Sequence, residues 1–323
     1  MIVITGGAGM IGSMIAWHLN TVLGRDDIVI VDRHKHAEQW QNLCHRRYAD
    51  YLDKDELLPW LESGVKVDAV IHMGAISATT ERDFNLLVQD NFRYSQRLWQ
   101  WCARNGVPLL YASSAATYGN GEQGYDDASI ENLRPLNGYG YSKHLFDQWA
   151  LRQAEAGNAP PQWCGFKFFN VYGPNEYHKE RMASVAWHSF NQFRETGTVR
   201  LFKSDRPDFK DGMQLRDFVY VKDAAAVVAF FLAHADKSGI YNVGTGQARA
   251  FLDLATAVMT SQGREPSITW IDMPQDLKGK YQYFTQASAA KLRAAGYSQP
   301  FHALEDGVRD YVQNYLMKTD AYC

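Results

Sequence analysis

Through the first half of the chain, short runs of β-branched and other apolar residues alternate with longer segments in which apolar positions recur every three or four residues. Residues 2–4, 28–31, 67–72, 109–112 and 163–168 have the composition of buried strands, and 11–23, 84–105 and 140–156 the period of helices. Regular strand–helix alternation with apolar strands predicts an α/β fold, a doubly wound parallel sheet of Rossmann type. The stretch 119–138, rich in Gly, Asn and Asp, predicts a loop leading into the third of these helices. Beyond Gly173-Pro174 the rhythm loosens. There, 182–195 predicts a helix, 203–215 a polar loop, 218–221 and 240–243 short strands, and 223–235, 250–262 and 303–316 further helices. Residues 1–170, with about 218–243 returning to the main sheet, are expected to form one domain. Residues 171–217 and 244–323 are then a smaller C-terminal lobe, and the cleft between the two is the expected ligand site.

Composition narrows the classes without choosing among them. The 323 residues can bury a full core, and 46% hydrophobic with 21% charged residues is ordinary for a globular chain. A net charge of -3, with no long Lys/Arg run, argues against nucleic acid as a partner. No stretch reaches the ~18 apolar residues that a membrane helix needs, and the N-terminus lacks the basic flank of a signal peptide. Cys44, Cys102, Cys164 and Cys323 form no CxxC pair, so a reducing cytoplasm without structural zinc is expected.

The first strand runs directly into Gly6-Gly7-Ala8-Gly9-Met10-Ile11-Gly12. Gly6, Gly9 and Gly12 have the spacing that permits a positive-φ turn, close approach of backbone to a pyrophosphate, and tight packing of the next helix. The free N–H groups and positive dipole end of that helix then face the phosphates. Asp32, at the end of the second strand, suits an adenosine ribose and hence NAD; the adjacent Arg33 suits the 2′-phosphate of NADP. Lys35 and Lys54 add charge nearby, and the choice of cofactor stays open on these residues.

Two further clusters carry chemistry. Tyr139 and Lys143, four apart, leave one face of a helix, where an ammonium beside a phenol is expected to lower the phenol's pKa towards working pH. Such a tyrosine can transfer a proton to or from an alcohol, although two surface neighbours on a helix are the commoner meaning of this spacing. Ser113 and Ser114 end the 109–112 strand and point to opposite faces, so only one of them can face a ligand.

Taken together, residues 5–12, 111–119, 135–137, 139–143, 169–174, His178-Lys179, 182–186, 281–286 and 292–297 resemble the extended short-chain dehydrogenase/reductase family. Along nearly the whole chain the likeness is to that family's nucleotide-sugar epimerases, and 170–184 is its most specific part. The resemblance implies an ADP-heptose nucleotide sugar inverted at C6″ through a transient ketone by a tightly held NADP, with NAD as the alternative. It also implies a cytoplasmic homo-oligomer, a pentamer by resemblance, that supplies the lipopolysaccharide core.

By the same resemblance, Ser114, Tyr139, Lys143 and Lys179 are catalytic, with Tyr139 and Lys179 as alternate acid/base groups. Cofactor contacts fall on Gly6, Gly9, Met10, Ile11, Gly12, Asp32, Arg33, Gln39, Lys54, Met73, Gly74, Ala75, Ile76, Ser77, Asn91, Lys143, Val171 and Lys179. Substrate contacts fall on Ser114, Asn170, Arg181, His188, Phe202, Lys203, Ser204, Arg216 and Tyr281. A lysine can serve as the second acid/base group only if burial or a nearby cation lowers its pKa. Departures from the family pattern stand at Gln39, where relatives carry a lysine near the 2′-phosphate, at Met73 in place of a glutamate, and at Glu180-Arg181 in place of Gly-Ser. A 4-epimerase or reductase on the same fold, and a dinucleotide-sensing protein without turnover, are the competing readings.

Overall fold

The structure, a computed structural model, describes residues 1–33, 38–274 and 282–323. Strands β1 (Ile2–Thr5), β2 (Ile28–Asp32), β3 (Asp50–Asp53), β4 (Ala69–His72), β5 (Leu109–Ser114) and β6 (Trp163–Phe168) alternate with helices α1 (Met10–Thr21), α2 (Leu57–Glu62), α3 (Phe84–Leu87), α4 (Tyr94–Asn105) and α5 (Gly138–Glu155). The second half adds β7 (Asn170–Tyr172), α6 (Val185–Thr196), β8 (Val199–Phe202), β9 (Leu215–Tyr220), α7 (Val221–Ala233), β10 (Gly239–Val243) and β11 (Ala248–Ala250). It closes with α8 (Phe251–Ser261), β12 (Ile268–Ile271), α9 (Ala290–Ala294) and α10 (Leu304–Tyr311).

The central sheet has seven parallel strands in the order β10-β6-β5-β4-β1-β2-β3. From β1 the chain winds outward through β2 and β3, then crosses back to β4 and winds the other way. The crevice beyond the carboxyl ends of β1 and β4 is therefore the topological switch point, where doubly wound sheets bind ligands. Strands β1 and β4 are fully buried and apolar up to their last residues, Thr5 and His72, which hydrogen-bond each other at 2.6 Å, as expected for a sheet covered by helices on both faces.

Several elements depart from the sequence reading. Residues 84–105 are helical, but one wide π turn (Val88–Arg93) separates α3 from α4 and directs Asp90, Asn91 and Phe92 inward. Strand β3, Asp-Tyr-Leu-Asp, was invisible to a hydrophobic criterion because it is a polar edge strand. Helix α5 begins two residues earlier than its apolar period, because the Asn137 side chain accepts from the Gly140 amide and caps it, an interaction worth about 1 kcal/mol. Of the 218–243 portion, α7 packs on α1 and β10 joins the main sheet. Residues 218–220 instead lie in β9, which pairs with β7 and β11 in a separate three-stranded sheet. Strands β8 and β12 form a further parallel pair, beside a small core of Phe193, Val199, Leu201, Ala255 and Met259. Among the described residues no helix is long and apolar enough to cross a membrane.

Candidate active site

At the switch point lies a cavity of about 440 Å³. Its floor is the turn between β1 and α1. Gly6 has φ +64°, and a Cβ there would lie 2.6 Å from the Gly74 nitrogen; a Cβ on Gly12 would lie 2.1 Å from the Gly6 carbonyl oxygen. Only glycine permits either approach. Gly9 caps α1 without a side-chain hydrogen bond, so the first amides of that twelve-residue helix point outward unclaimed by any cap. Gly6, Gly9, Met10, Ile11 and Gly12 all line the cavity, and this cradle fits a dinucleotide pyrophosphate.

The opposite wall is the chain leaving β4. Met73, Gly74, Ala75, Ile76 and Ser77 line the cavity, and the Met73 and Gly74 amides donate to the carbonyl and hydroxyl oxygens of Thr5 at 3.0 and 3.2 Å. Met73 thus keeps its backbone role although it lacks a carboxylate. Asn91, expected to touch the cofactor, lies buried behind this wall and is not among the cavity's lining residues. Its amide brackets Ile76, accepting from its N–H at 2.8 Å and donating to its carbonyl at 3.0 Å, and it also donates to Ser142, whose hydroxyl donates to the Tyr139 carbonyl. Asn91 therefore ties the wall to the start of α5 from the inward-turned π segment.

The end of the cavity beside Asp32 is more charged than open. The Asp32 carboxylate accepts from the amides of Ala8 and Arg33 at 2.9 and 2.7 Å and from Gln39 at 3.3 Å. Arg33 and Lys54, expected at the cofactor, line the cavity, and each has an acidic partner, Asp55 and Asp90 respectively. Lys35 and Tyr281 lie outside the described residues.

Strand β5 resolves the serine pair. Ser113 is buried and donates to Asp147 at 2.6 Å, whereas Ser114 is half-buried and hydrogen-bonds the Tyr139 phenol. The expected effect of Lys143 on Tyr139 is not present in this structure. Burial raises the Tyr139 pKa; the Ser114 hydrogen bond opposes that rise and the Asp147 charge adds to it. Lys143 is buried and donates to the Ala112 carbonyl at 3.0 Å; burial pushes its pKa down to about 8, against the pull of Asp147. Desolvation, which spacing on a helix does not reveal, outweighs the through-space effect.

Lys179 sits on a 3₁₀ turn, Tyr177–Met182, and lines the cavity with His178, Glu180, Arg181 and Met182. Its ammonium approaches the Met10 sulfur at 3.3 Å, and burial lowers its pKa while Glu176 opposes the change. Glu176 is fully buried and accepts from the Ser184 amide and hydroxyl at 2.5 and 2.7 Å. This anchor fixes the turn on both sides of Lys179, and sequence reading missed it because a lone glutamate near a Gly-Pro carries no signature.

The expected substrate residues are scattered more widely. Asn170 is exposed on β7 and Val171 half-buried beside it; neither is among the lining residues. His188, on the first turns of α6, is half-buried and approaches the Arg181 carbonyl at 3.4 Å, so it is not an interior histidine. Phe202 ends β8, Lys203 pairs with Asp272 at 3.0 Å, and the Ser204 amide donates to Asp211 at 2.8 Å. Arg216 is buried on β9; its guanidinium donates to the carbonyls of Leu215 and Gln282 and lies over the Phe251 ring. Only Arg181 of this group lines the cavity beside the cofactor cradle.

Comparison with known proteins follows the same outline. The profile of the "NAD dependent epimerase/dehydratase family" matches residues 2–244. Over the full length of both chains, the sequence is 52% identical to an ADP-L-glycero-D-manno-heptose-6-epimerase of Fusobacterium nucleatum and 49% identical to one of Nitratidesulfovibrio vulgaris. The crystal structure of the Helicobacter pylori ADP-L-glycero-D-manno-heptose-6-epimerase superposes with a TM-score of 0.81 at 28% identity, covering 97% of this chain and 95% of that one.

Proposed function

The chain belongs to the NAD dependent epimerase/dehydratase family and, within it, to the group of enzymes named ADP-L-glycero-D-manno-heptose-6-epimerases; from that premise we propose that it inverts C6″ of ADP-D-glycero-D-manno-heptose. A nicotinamide cofactor, when bound, supplies reversible oxidation of that carbon. The residues of the chain supply the rest. The glycine turn and the N-terminus of α1 hold the pyrophosphate, and Lys143 steadies the nicotinamide ribose. Ser114 orients the hydroxyl of Tyr139 towards the substrate oxygen. Inversion presents that oxygen in two orientations, so Tyr139 holds the proton in one and Lys179 in the other.

The observation that carries this reading is the place of Lys179: it lines the cavity of the glycine cradle, where burial lowers its pKa against the opposing charge of Glu176. A lowered pKa is the direction that an acid/base role for lysine requires. For the cofactor we propose NADP, with Arg33 leaving Asp55 to meet the 2′-phosphate. NAD is the second reading, favoured by the Asp32 carboxylate at the ribose end and by Gln39; titration with each cofactor decides between them. A homo-oligomer in the cytoplasm completes the proposal, with light scattering as the check on assembly.

Incubation with ADP-D-glycero-D-manno-heptose, with the two epimers separated chromatographically, tests the function. The proposal predicts approach to a mixture of both. No conversion, with turnover of a UDP-hexose instead, points to a 4-epimerase. Cofactor binding without turnover of any nucleotide sugar points to a sensing protein.

A further inference from the structure

Behind the proton-transfer centre lies a charged pair for which the mechanism above has no use. Lys167 on β6 and Asp147 on α5 are both fully buried and meet at 2.6 Å. Lysine is almost never buried so completely without a specific partner. Each member reaches further. Asp147 also accepts from Ser113 at 2.6 Å and from the Tyr111 phenol at 3.1 Å, and Lys167 also donates to Thr117 at 2.8 Å. Thr117 in turn donates to the Ser114 carbonyl at 2.8 Å. Ser114 is thus held from both sides, through Ser113 and through Thr117. Asp147 follows Lys143 by one helical turn and Tyr139 by two, on the same helix.

We propose that Lys167 and Asp147 are positioning residues for proton transfer: they clamp α5 to the ends of β5 and β6 at Ser114, and their opposite charges balance the field at Tyr139. Clamping alone would need no charges, since buried ion pairs are often replaceable by apolar side chains without loss of stability. The charged and titratable groups around Tyr139 and Lys143 are Asp147 and His144 from α5, His72 from β4, Tyr111 from β5 and Lys167 from β6. Burial pushes His72 down to about 3, so it is neutral at working pH and contributes no charge. Lys143 stays beside the phenol in every variant below, so Asp147, whose charge raises the phenol's pKa, and Lys167, which pairs with it at 2.6 Å, are the charges that the variants change.

The inference rests on the role assigned to Tyr139, and its test separates the two. In Asp147→Asn the unbalanced Lys167 favours the phenolate, so the low-pH limb of the kcat profile moves down by about one pH unit. In Lys167→Gln the unbalanced Asp147 disfavours the phenolate, and the limb moves up by a similar amount. The double variant Lys167→Met/Asp147→Leu returns the limb close to its wild-type position. The Tyr139 resonance in protein labelled at the tyrosine Cζ carbon, assigned with Tyr139→Phe, reads the same opposed shifts whether or not substrate turns over. A failure of the pair is thereby distinguished from a failure of the proposed reaction. Shifts in the same direction, or none in either variant, overturn the proposal. Should the single variants not fold, Ser113→Ala and Thr117→Val keep both charges and cut the contacts to the serine strand. Each is then expected to lower kcat about 5-fold or more with KM unchanged, and unaltered kcat in both overturns it.

Discussion

Helix α5 carries Tyr139 on regular backbone, capped by Asn137, laced to the β4 wall through Ser142 and Asn91, and bound to the buried pair behind it. The turn that carries Lys179 has no such continuity. It holds its shape through separate side-chain anchors, among them the buried Glu176 carboxylate, the Asn42 amide at Asn175 and His178, and the Tyr177 phenol on the Ala321 carbonyl, and it includes Glu180, whose φ of +47° is a conformation that few side-chain-bearing residues adopt. The two groups proposed to share one inversion therefore stand on unlike supports. A secondary-structure element fixes a direction by its own periodicity, whereas a turn fixes one only while each of its anchors is in place. The helix half suits the group that must meet the serine in every cycle. The turn half suits the group that must reach the same oxygen from another side.

The largest expected effect tests the helix half. Tyr139→Phe removes the hydroxyl and leaves the ring, so kcat should fall about 10³-fold with cofactor binding intact. Steady-state epimerisation within tenfold of wild type would break the comparison by removing one of its members. A smaller effect sharpens the account of the buried helix face. Because burial lowers the Lys143 pKa to about 8, the folded chain binds fewer protons than the unfolded chain between about pH 8 and the ordinary lysine value of 10.5. The stability contribution of this residue therefore rises with pH across that window. Denaturation of wild type and Lys143→Met at pH 7.5 and 9.5 should show the wild type gaining about 2 kcal/mol relative to the variant. The smallest effect belongs to the turn. Glu180→Gly relieves the positive φ, whereas Glu180→Ala removes the same carboxylate and keeps the strained backbone, so the glycine variant should be the more stable of the two by roughly 1 kcal/mol in chemical denaturation. Equal stability of the two variants would mean that the positive φ costs the turn nothing.

Much of the helix half was legible in the sequence. The apolar strands announce themselves by composition, and Gly6, Gly9 and Gly12 by a spacing that few other structures require. The Tyr139/Lys143 and Ser113/Ser114 patterns also marked where to look. Burial was not legible, and it reverses the simple electrostatic expectation: the phenol is pushed up and Lys143 donates to a carbonyl. The π turn that points Asn91 inward leaves no mark on an apolar period, so its hydrogen bonds to Ile76 behind the cavity wall were not legible. Arg33 and Lys54 line the cavity, and their acidic partners, which lie in segments distant in sequence, were not legible. Lys167, Asp147 and Glu176 went unseen for the same reason. A buried ion pair is a property of two elements meeting, and neither element records it alone.

The account depends most on Lys179 as the second proton carrier, and Lys179→Met tests it most directly. The variant keeps the length and apolar stem of the side chain but can hold no proton. Mixed with cofactor and pure ADP-D-glycero-D-manno-heptose, it should still hold the cofactor and form no detectable L-glycero epimer. Epimerisation at a rate near wild type would contradict the two-group inversion and leave Tyr139 to serve both orientations by itself.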